Sequence, residues 1–359
     1  MWIYLLVYLS IPIWNRVFKK NRIAFIAVAA TEMFLILALR APTLGVDLNN
    51  YSGGYRYISS LSFVDMIKRL RFVSAADLIP PYSYESGYVL LNWLLSRCGI
   101  GFHGFLIIYA AFTVFSHSLL IYRYSEKPWL SMAIFMSLGM YEYFFGILRQ
   151  TIAVSIMLLS LQAIKEKKPL KFFGALLVAF LFHRSSIIYL PFYFLGRIRH
   201  TKKLFKLYFA GYALELALLA VSLKYAIEPI LGLLGKHYAL GEFKMNNLIL
   251  LMLFIAAVAY FVTDFDKTPD DKNHNLITAG YMLGIFVQIF GFYMEILSRA
   301  AIGYYLIFAA LLIPNVITKY KNSQQLAKLG TLAVYLLLFV FYIYRLRSSV
   351  IVPFVPFWW

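Results

Sequence analysis

The sequence predicts an all-α, polytopic integral membrane protein in which the whole chain, residues 1–359, forms a single membrane domain. Of its 359 residues, 62% are hydrophobic and only 14% are charged, and the mean hydropathy is +0.73. A soluble domain carries roughly 25% charged residues and about 45–50% apolar ones, so this chain has too few polar side chains to cover a globule of its size. Because a membrane-spanning helix needs about 20 largely apolar residues, twelve such helices would leave too little chain for a separate soluble domain.

Apolar runs between polar or basic breaks predict about 12 transmembrane helices, within a range of about 11–14. The runs lie at 1–14, 23–40, 102–122, 128–147, 148–164, 171–183, 186–196, 204–223, 246–263, 275–294, 300–318 and 328–344. The first run has no basic residues before it, which indicates a span and not a cleaved signal peptide. The run at 87–97 is short for a span, and it predicts a re-entrant or interfacial helix.

The distribution of basic residues predicts the orientation of the chain. Lysines and arginines flank both ends of the short stretch 171–196, so we expect a hairpin whose two ends are cytoplasmic. Placing the N-terminus outside puts most of the 34 Lys and Arg residues in short inner loops, as the positive-inside rule requires. The same rule, together with anionic lipid, accounts for the formal charge of +18 without nucleic acid. Both termini then lie outside, with a long extracytoplasmic loop at 41–86 and an extracytoplasmic aromatic tail at 345–359.

Charged residues near the predicted outer helix ends are the first candidates for function. A charge inside hydrocarbon costs roughly 2.5–3.5 kcal/mol, so each one needs a partner or a role. The candidates are Arg40, Glu85, Glu142, Arg149, His183, Arg184, Glu295 and Arg299. A single arginine near a helix end can simply extend to the lipid headgroups. Four arginines on one face of the membrane instead favour an anion site, since a guanidinium binds phosphate oxygens in pairs.

Local spacing adds further expectations about these residues. Glu295 and Arg299 are four residues apart, as in a helical ion pair. Glu142 and Arg149 lie two turns apart if their helix is continuous, and His183 and Arg184 fall at the tip of the short hairpin. A histidine alone is more often a hydrogen-bonded packing residue than a base.

Several other patterns have simpler explanations than chemistry. Asp264 and Asp266 form a D-x-D in a predicted cytoplasmic loop, where a solvated loop is the better interpretation. Gly280 and Gly284 form a G-x-x-x-G that indicates close helix packing. The single cysteine, Cys98, excludes an internal disulfide and a cysteine-based zinc site.

Five stretches of the chain resemble the EpsG-type Wzy polymerases, which polymerise the repeat units of bacterial O-antigens, capsules and exopolysaccharides. They are LRAPTLGVDLNNY (39–51), YESGYVLLNWLL (84–95), FFGILRQTIAVS (144–155), FHRSSIIYLPFYF (182–194) and SRAAIGYY (298–305), followed by the aromatic tail. These stretches appear in the family's order and span nearly the whole chain. The most specific are the R-x-x-x-x-G-x-D-x-x-x-Y pattern, the LRQ and the FH-x-S-S run.

The resemblance implies an integral-membrane glycosyltransferase with a helical fold similar to the GT-C class. Its donor and acceptor would be undecaprenyl-pyrophosphate-linked oligosaccharides in the lipid of the bacterial cytoplasmic (inner) membrane. The growing glycan would pass to the non-reducing end of a new lipid-linked repeat on the face toward the periplasm or cell exterior. No nucleotide sugar, cofactor, metal or nucleic acid is implied, and a Wzz-like chain-length regulator is a possible partner.

The chemistry of pyrophosphate release and of hydroxyl activation suggests roles for the candidate residues in such a reaction. A pyrophosphate leaving group develops negative charge, which preorganised arginines can stabilise. We therefore expect Arg149 and Arg299 to bind the pyrophosphate, with Arg40 and Arg184 assisting. For the base that activates the acceptor hydroxyl, Asp47 and His183 rank equally and Glu85 follows. The expected substrate-binding residues are Tyr51, Glu142, Gln150 and Glu295. Outer-loop tyrosines that could stack on sugars are Tyr51, Tyr55, Tyr57, Tyr82, Tyr84 and Tyr88.

Two other classes of function stay open at this point. A lipid-linked oligosaccharide flippase would also bind pyrophosphate with cations, but it should line a central path with charge at all depths. An O-antigen ligase would join finished polymer to a lipid core. A membrane acyltransferase would use an intramembrane histidine and a cytoplasmic thioester, whereas His183 is predicted outside.

Overall fold

The chain folds into helices, as the composition predicts. The structure is a computed structural model that describes residues 1–70, 84–221, 247–263, 271–292, 295–319 and 324–359. Within these ranges it contains α-helices, two 3₁₀-helices and no β-strand beyond one isolated bridge. The prediction of an all-α fold is confirmed for the described residues.

The α-helices follow one another along the chain with short connections. They are α1 (Trp2–Val17), α2 (Arg22–Ala38), α3 (Leu48–Ser60), α4 (Phe63–Arg69), α5 (Ser86–Arg97), α6 (Phe102–Tyr124), α7 (Pro128–Ser137), α8 (Leu148–Lys165), α9 (Pro169–Phe182), α10 (Phe192–Leu195), α11 (Lys202–Val221), α12 (Asn247–Val262), α13 (Lys272–Phe290), α14 (Glu295–Tyr305), α15 (Ile307–Lys319) and α16 (Gln324–Arg347). The 3₁₀-helices are Glu142–Phe145 and Arg184–Tyr189.

In the part of the chain that the structure describes, fewer helices than expected are long enough to cross a membrane on their own. Among the described residues, α6 and α16 are long and apolar enough. The pair α14 and α15, bent by 47°, adds a third candidate if it is one span. Apolar helices are thus present, but the predicted count of about 12 spans is not confirmed.

Two predicted spans are interrupted for visible reasons. The run at 128–147 is helical only to Ser137, because Gly139 adopts a φ of +82°, a left-handed conformation that ends a right-handed helix. The run at 186–196 divides into the 3₁₀-helix Arg184–Tyr189 and the single turn of α10, with Pro191 between them. Neither run forms the continuous helix that its hydropathy predicts.

The predicted outer loop is more ordered than its composition indicates. Residues 48–69 form α3 and α4, and α3 packs against α5 and α6. The Ser62 side chain caps α4 by accepting a hydrogen bond from the Asp65 amide at 3.1 Å. α5 matches the short helix predicted at 87–97. Residues 71–83 of this loop, which include Tyr82, lie outside the described residues.

The described helices belong to two compact units, and each is built around its own core. The first unit comprises Met1–Leu190 and Gly330–Trp359, so the end of the chain returns to the helices at its beginning. Its main packed pairs are α8 with α9, α2 with α6, and α6 with α8.

The second unit comprises Pro191–Leu329, and α13 is buried along most of its length there. A Cβ added at Gly280 would lie 2.5 Å from the Phe308 ring, and one at Gly284 would lie 2.7 Å from Tyr305 Cβ. The close helix packing that the G-x-x-x-G predicts is therefore confirmed.

The aromatic tail folds back on the end of α2. The Ala41 amide donates a hydrogen bond to the Val355 carbonyl at 2.7 Å, and the Phe357 amide donates one to the Leu39 carbonyl at 2.9 Å. The Phe357 ring also stacks on His103 at the start of α6, with ring centroids 4.2 Å apart. The end of α2, the start of α6 and the tail thus form one end of the first unit.

Candidate functional site

Three helix ends converge in the first unit and bring together charged residues that are distant in the sequence. Glu85 precedes α5, Arg149 is the second residue of α8, and His183 follows the last residue of α9. A Cβ added at Gly87 would lie only 2.8 Å from the carbonyl oxygen of Leu181. The backbones of α5 and α9 therefore approach closely at Gly87, and this approach brings Glu85 beside His183.

Glu85 lies at the centre of this cluster and contacts both basic residues. Its Oε2 forms an ion pair with Arg149 Nη1, and its Oε1 lies 3.2 Å from His183 Nδ1. The Glu85 side chain is 8% exposed, whereas those of Arg149 and His183 are 22% and 24% exposed. A nearly buried acid thus holds two basic side chains that solvent or a ligand can reach.

The electrostatics of the cluster fix the protonation of its acid. Burial by itself would raise the pKa of Glu85, but the hydrogen bond from His183 and the charge of Arg149 lower that pKa from 4.5 to about 2. The carboxylate is therefore ionised and accepts hydrogen bonds from both partners, so His183 Nδ1 carries a hydrogen. Nε2 has no hydrogen-bond partner among the described residues, and with the hydrogen on Nδ1 it is the nitrogen that can accept a proton.

Aromatic rings of the outer loop hold the Arg149 guanidinium. Its central carbon lies 5.0 Å from the centroid of the Tyr84 ring and 5.9 Å from that of Tyr51. The Tyr51 hydroxyl accepts a hydrogen bond from Arg149 Nε at 3.4 Å. Gly54 makes room for this arrangement, since a Cβ there would lie 2.4 Å from the Tyr84 ring.

The outer-loop tyrosines form packing contacts in place of an open platform for sugars. Tyr51, Tyr55, Tyr84 and Tyr88 are all buried, and the parallel rings of Tyr51 and Tyr84 are 5.7 Å apart. Only a small part of each ring is therefore accessible to a ligand. Tyr57 is half-buried.

Asp47 lies at the exposed edge of the same region. It precedes α3 with a φ of +63° and does not cap the helix with its side chain. Burial raises the pKa of Tyr51, the Arg149 cation opposes this effect, and the carboxylates of Glu85 and Asp47 add to it. Asp47 is thus close enough to act electrostatically on a ring that contacts Arg149. Arg184 follows His183 directly and is exposed.

Arg40 occupies a closed environment that differs from the one expected. Its side chain is fully buried, and its guanidinium donates to the carbonyls of Leu37 at 2.5 Å and Phe144 at 3.3 Å. It also lies 5.1 Å from the centroid of the Phe145 ring. Arg40 therefore joins the end of α2 to the segment before α8, and it presents no surface to a ligand.

Glu142 also differs from the expectation. The interruption after α7 removes the continuous helix that would have placed it two turns before Arg149. Its Oε2 instead accepts a hydrogen bond from Ser349 at 2.8 Å, and its Oε1 lies 3.4 Å from Arg345 Nη2. Glu142 thus pairs with the C-terminal part of the chain.

The remaining candidates are Gln150, Arg299 and Glu295. Gln150 is buried in α8. Arg299 is an exposed residue of α14 in the second unit. The side chain of Glu295, and with it the predicted Glu295–Arg299 pair, lies outside the described residues, as does the D-x-D of Asp264 and Asp266. The described ranges contain no group of three or more His, Cys, Asp or Glu residues that could hold a metal ion.

Sequence reasoning missed the direct contact of Glu85 with Arg149 and His183. It ranked Glu85 only as a third possible base. The partners of Glu85 lie 64 and 98 residues further along the chain, so no local spacing connects them. The one local signal is Gly87, which allows a close helix approach but does not identify the helix approached.

A comparison with known families gives one match that covers nearly the whole chain. The model described as the EpsG family matches residues 23–357. This range includes Glu85, Arg149 and His183. No curated protein and no solved structure matches the chain.

Proposed function

The chain belongs to the EpsG family, and from this premise we propose that it polymerises undecaprenyl-pyrophosphate-linked oligosaccharide repeats. The family is one of membrane proteins with a role in polysaccharide biosynthesis. The specific reaction proposed here is transfer of the growing glycan to the non-reducing end of a new lipid-linked repeat. It takes place on the outer face of the bacterial cytoplasmic membrane, and the chain is a metal-independent glycosyltransferase.

The observation that carries this proposal is the cluster of Glu85, Arg149 and His183. It combines a partly exposed cation with a partly exposed potential base at one place in the fold. The N-termini of α5 and α8 also meet there, and a helix N-terminus carries a partial positive charge. Such a site suits a reaction that releases an anion and deprotonates a hydroxyl.

Arg149 has the role of stabilising the leaving group. When the acceptor oxygen attacks the anomeric carbon, the bond from that carbon to the pyrophosphate oxygen breaks and its electron pair stays with the pyrophosphate. A fixed guanidinium lowers the energy of this developing charge. Arg184, exposed beside His183, is a second cation for the same anion. A contribution of Arg299 to pyrophosphate binding stays a prediction.

The first test deletes the gene and examines the surface glycan of the cells by gel electrophoresis. Wild-type protein should restore a ladder of long chains, whereas Arg149→Ala should leave single repeat units. Arg56→Ala is the matched control, because Arg56 is an exposed arginine of α3. Long chains that persist in the deletion strain would contradict the proposal and would favour a ligase. Repeat units trapped inside the cell would favour a flippase.

A double variant separates catalysis by Arg149 from a purely structural role. Removing one member of a buried ion pair costs about 3–5 kcal/mol, whereas replacing both is often nearly neutral. We expect Arg149→Met combined with Glu85→Gln to restore the amount of protein in the membrane but to make much less polymer than Glu85→Gln alone, which keeps Arg149. Equal amounts of polymer from the double variant and from Glu85→Gln would show that Arg149 serves only to neutralise Glu85.

A further inference from the structure

We infer that Glu85 is a positioning residue that makes His183, and not Asp47, the base for the acceptor hydroxyl. This inference rests on the proposed function, since it assigns the proton-accepting step of that reaction. It rests on the contacts of Glu85 and on the different surroundings of the two possible bases.

The first argument concerns the partners of the Glu85 side chain at the start of α5. The residues that usually cap a helix at this position are Ser, Thr, Asp and Asn, whose short side chains reach the first backbone amides. The longer Glu85 side chain makes no capping bond to α5 and reaches Arg149 and His183 instead. An anion beside an arginine that binds pyrophosphate also repels the ligand. Its presence at such a site is therefore explained by its effect on the two side chains that it contacts, and of these only His183 can take up a proton.

The second argument concerns the two nitrogens of the His183 ring. An ionised carboxylate can accept hydrogen bonds but cannot donate them. The contact of Glu85 Oε1 with His183 Nδ1 therefore places the ring hydrogen on Nδ1 and leaves the lone pair on Nε2. The ring is about a quarter exposed, and nothing in the described part of the chain occupies Nε2. Glu85 thus selects the tautomer that a general base requires and fixes the direction of the ring.

The third argument is that Asp47 lacks comparable support. Its side chain is exposed, and its carboxylate forms no hydrogen bond with any residue that the structure describes. A base must lie within hydrogen-bond reach of the proton that it removes. A side chain without a hydrogen bond to the described residues meets this requirement less well than one held by a buried carboxylate.

The resulting step is balanced in atoms and charge. The acceptor hydroxyl oxygen forms a bond to the anomeric carbon while its proton moves to His183 Nε2. The bond from the anomeric carbon to the pyrophosphate oxygen breaks, and the electron pair leaves on the pyrophosphate. The imidazolium formed is stabilised by the negative charge of Glu85, and its proton is later released to water. Glu85 never takes up the proton.

The test measures polymerisation by the full-length protein in liposomes as a function of pH. The substrate is the lipid-linked repeat unit that accumulates in the deletion strain. Glu85→Gln keeps the shape of the side chain but removes the charge that stabilises the imidazolium. We expect kcat to fall about 100- to 10,000-fold without a rise in KM for the lipid-linked repeat. We also expect the acidic limb of the pH profile to move to lower pH.

Two variants complete the design. Asp47→Asn should retain most of the activity, whereas His183→Ala should lose it. Glu166→Gln is the control for an amide replacement, because Glu166 is exposed at the other end of α8. A uniform loss of rate in Glu85→Gln, with the acidic limb unmoved, would show a structural role alone. An inactive Asp47→Asn beside an active His183→Ala would also overturn the inference.

A chemical rescue tests the assignment of His183 as the base without any change to Glu85, and it stays available if Glu85→Gln does not accumulate. Added imidazole should restore part of the turnover of His183→Gly, since a free base can then occupy the vacated space. If imidazole does not raise the turnover rate of His183→Gly, the assignment of His183 as the base is wrong. These outcomes differ from failure of the proposed function, in which the wild-type protein itself would not extend the lipid-linked repeat.

Discussion

Glu85 is the residue whose ionisation should contribute most to the stability of the candidate site. Its pKa in the folded protein is about 2, below the ordinary value of 4.5, because the hydrogen bond from His183 and the charge of Arg149 outweigh burial. A lowered carboxyl pKa stabilises the folded state fully above the ordinary value, and this stabilisation is lost as the pH falls toward the folded value. The difference corresponds to about 3 kcal/mol.

We predict that Glu85→Gln lowers the melting temperature of the protein most at neutral pH. As the pH falls below about 4.5, the wild-type protein loses the contribution of the ion pair, and the two melting curves should approach each other. Thermal unfolding of the purified protein in detergent at several pH values measures this. A difference that stays constant down to about pH 3 would show that the charge of Glu85 does not stabilise the fold.

The arginines show what a sequence reveals about single residues and what it does not. The sequence analysis assigned Arg40 to the same anion site as Arg149 and Arg184, because all three are arginines near a predicted helix end. The structure separates them, because Arg40 is enclosed by carbonyls and rings while Arg149 is partly exposed and Arg184 is exposed. The cost of a buried charge predicts that each arginine has a partner. It does not predict whether that partner is a backbone carbonyl or a ligand.

At the scale of elements, the contact of α5 with α9 determines whether the site can form. We predict that Gly87→Ala impairs both stability and polymerisation, because the new Cβ would lie 2.8 Å from a backbone oxygen that has little freedom to move. Overpacking of this kind costs about 1–3 kcal/mol. The strain should separate Glu85 from His183 and reduce the activity.

The control for this substitution lies in the partner helix. Gly174 belongs to α9, and a Cβ there would meet no atom within 4 Å. Gly174→Ala should therefore leave polymer length unchanged and raise stability slightly, since alanine favours a helix over glycine by about 0.5–1 kcal/mol. Thermal unfolding and the glycan ladder test both variants. Equal behaviour of the two would contradict the role assigned to the α5–α9 contact.

The positions of helices could be predicted where hydropathy determines them. The prediction was wrong where backbone conformation or contacts with other helices determine them. The runs at 23–40, 102–122 and 148–164 match α2, α6 and α8 within a few residues. The run at 128–147 is just as apolar, but the left-handed glycine at 139 ends its helix early. α3 was missed for the opposite reason, since its sequence LNNYSGGYRYISS is polar and rich in glycine. Its contacts with α5 and α6 stabilise the helix, and a sequence does not show such contacts.

At the scale of the whole molecule, the end of the chain completes the first unit. The rings of Tyr8 and Tyr335 stack with centroids 5.1 Å apart, which fixes α16 against α1. Glu142 accepts a hydrogen bond from Ser349, which lies beyond the end of α16. The Val355 carbonyl accepts a hydrogen bond from the Ala41 amide. The distribution of Lys and Arg residues predicts that the C-terminal tail lies on the outer side. It does not predict which residues the tail contacts. These contacts connect the segment before α8, which precedes Arg149, to the C-terminus.

The orientation of the first unit in the membrane can be tested with the native cysteine. Cys98 is exposed and lies shortly before α6, whose residue His103 contacts the tail. The predicted topology places this end outside. We therefore expect a membrane-impermeant maleimide to label Cys98 in intact cells. In a Cys98→Ser background, Lys171→Cys at the exposed start of α9 should react only after the membrane is opened. The reverse pattern would place Cys98 in the cytoplasm, and the outward-facing reaction proposed for Arg149 and His183 would then be wrong.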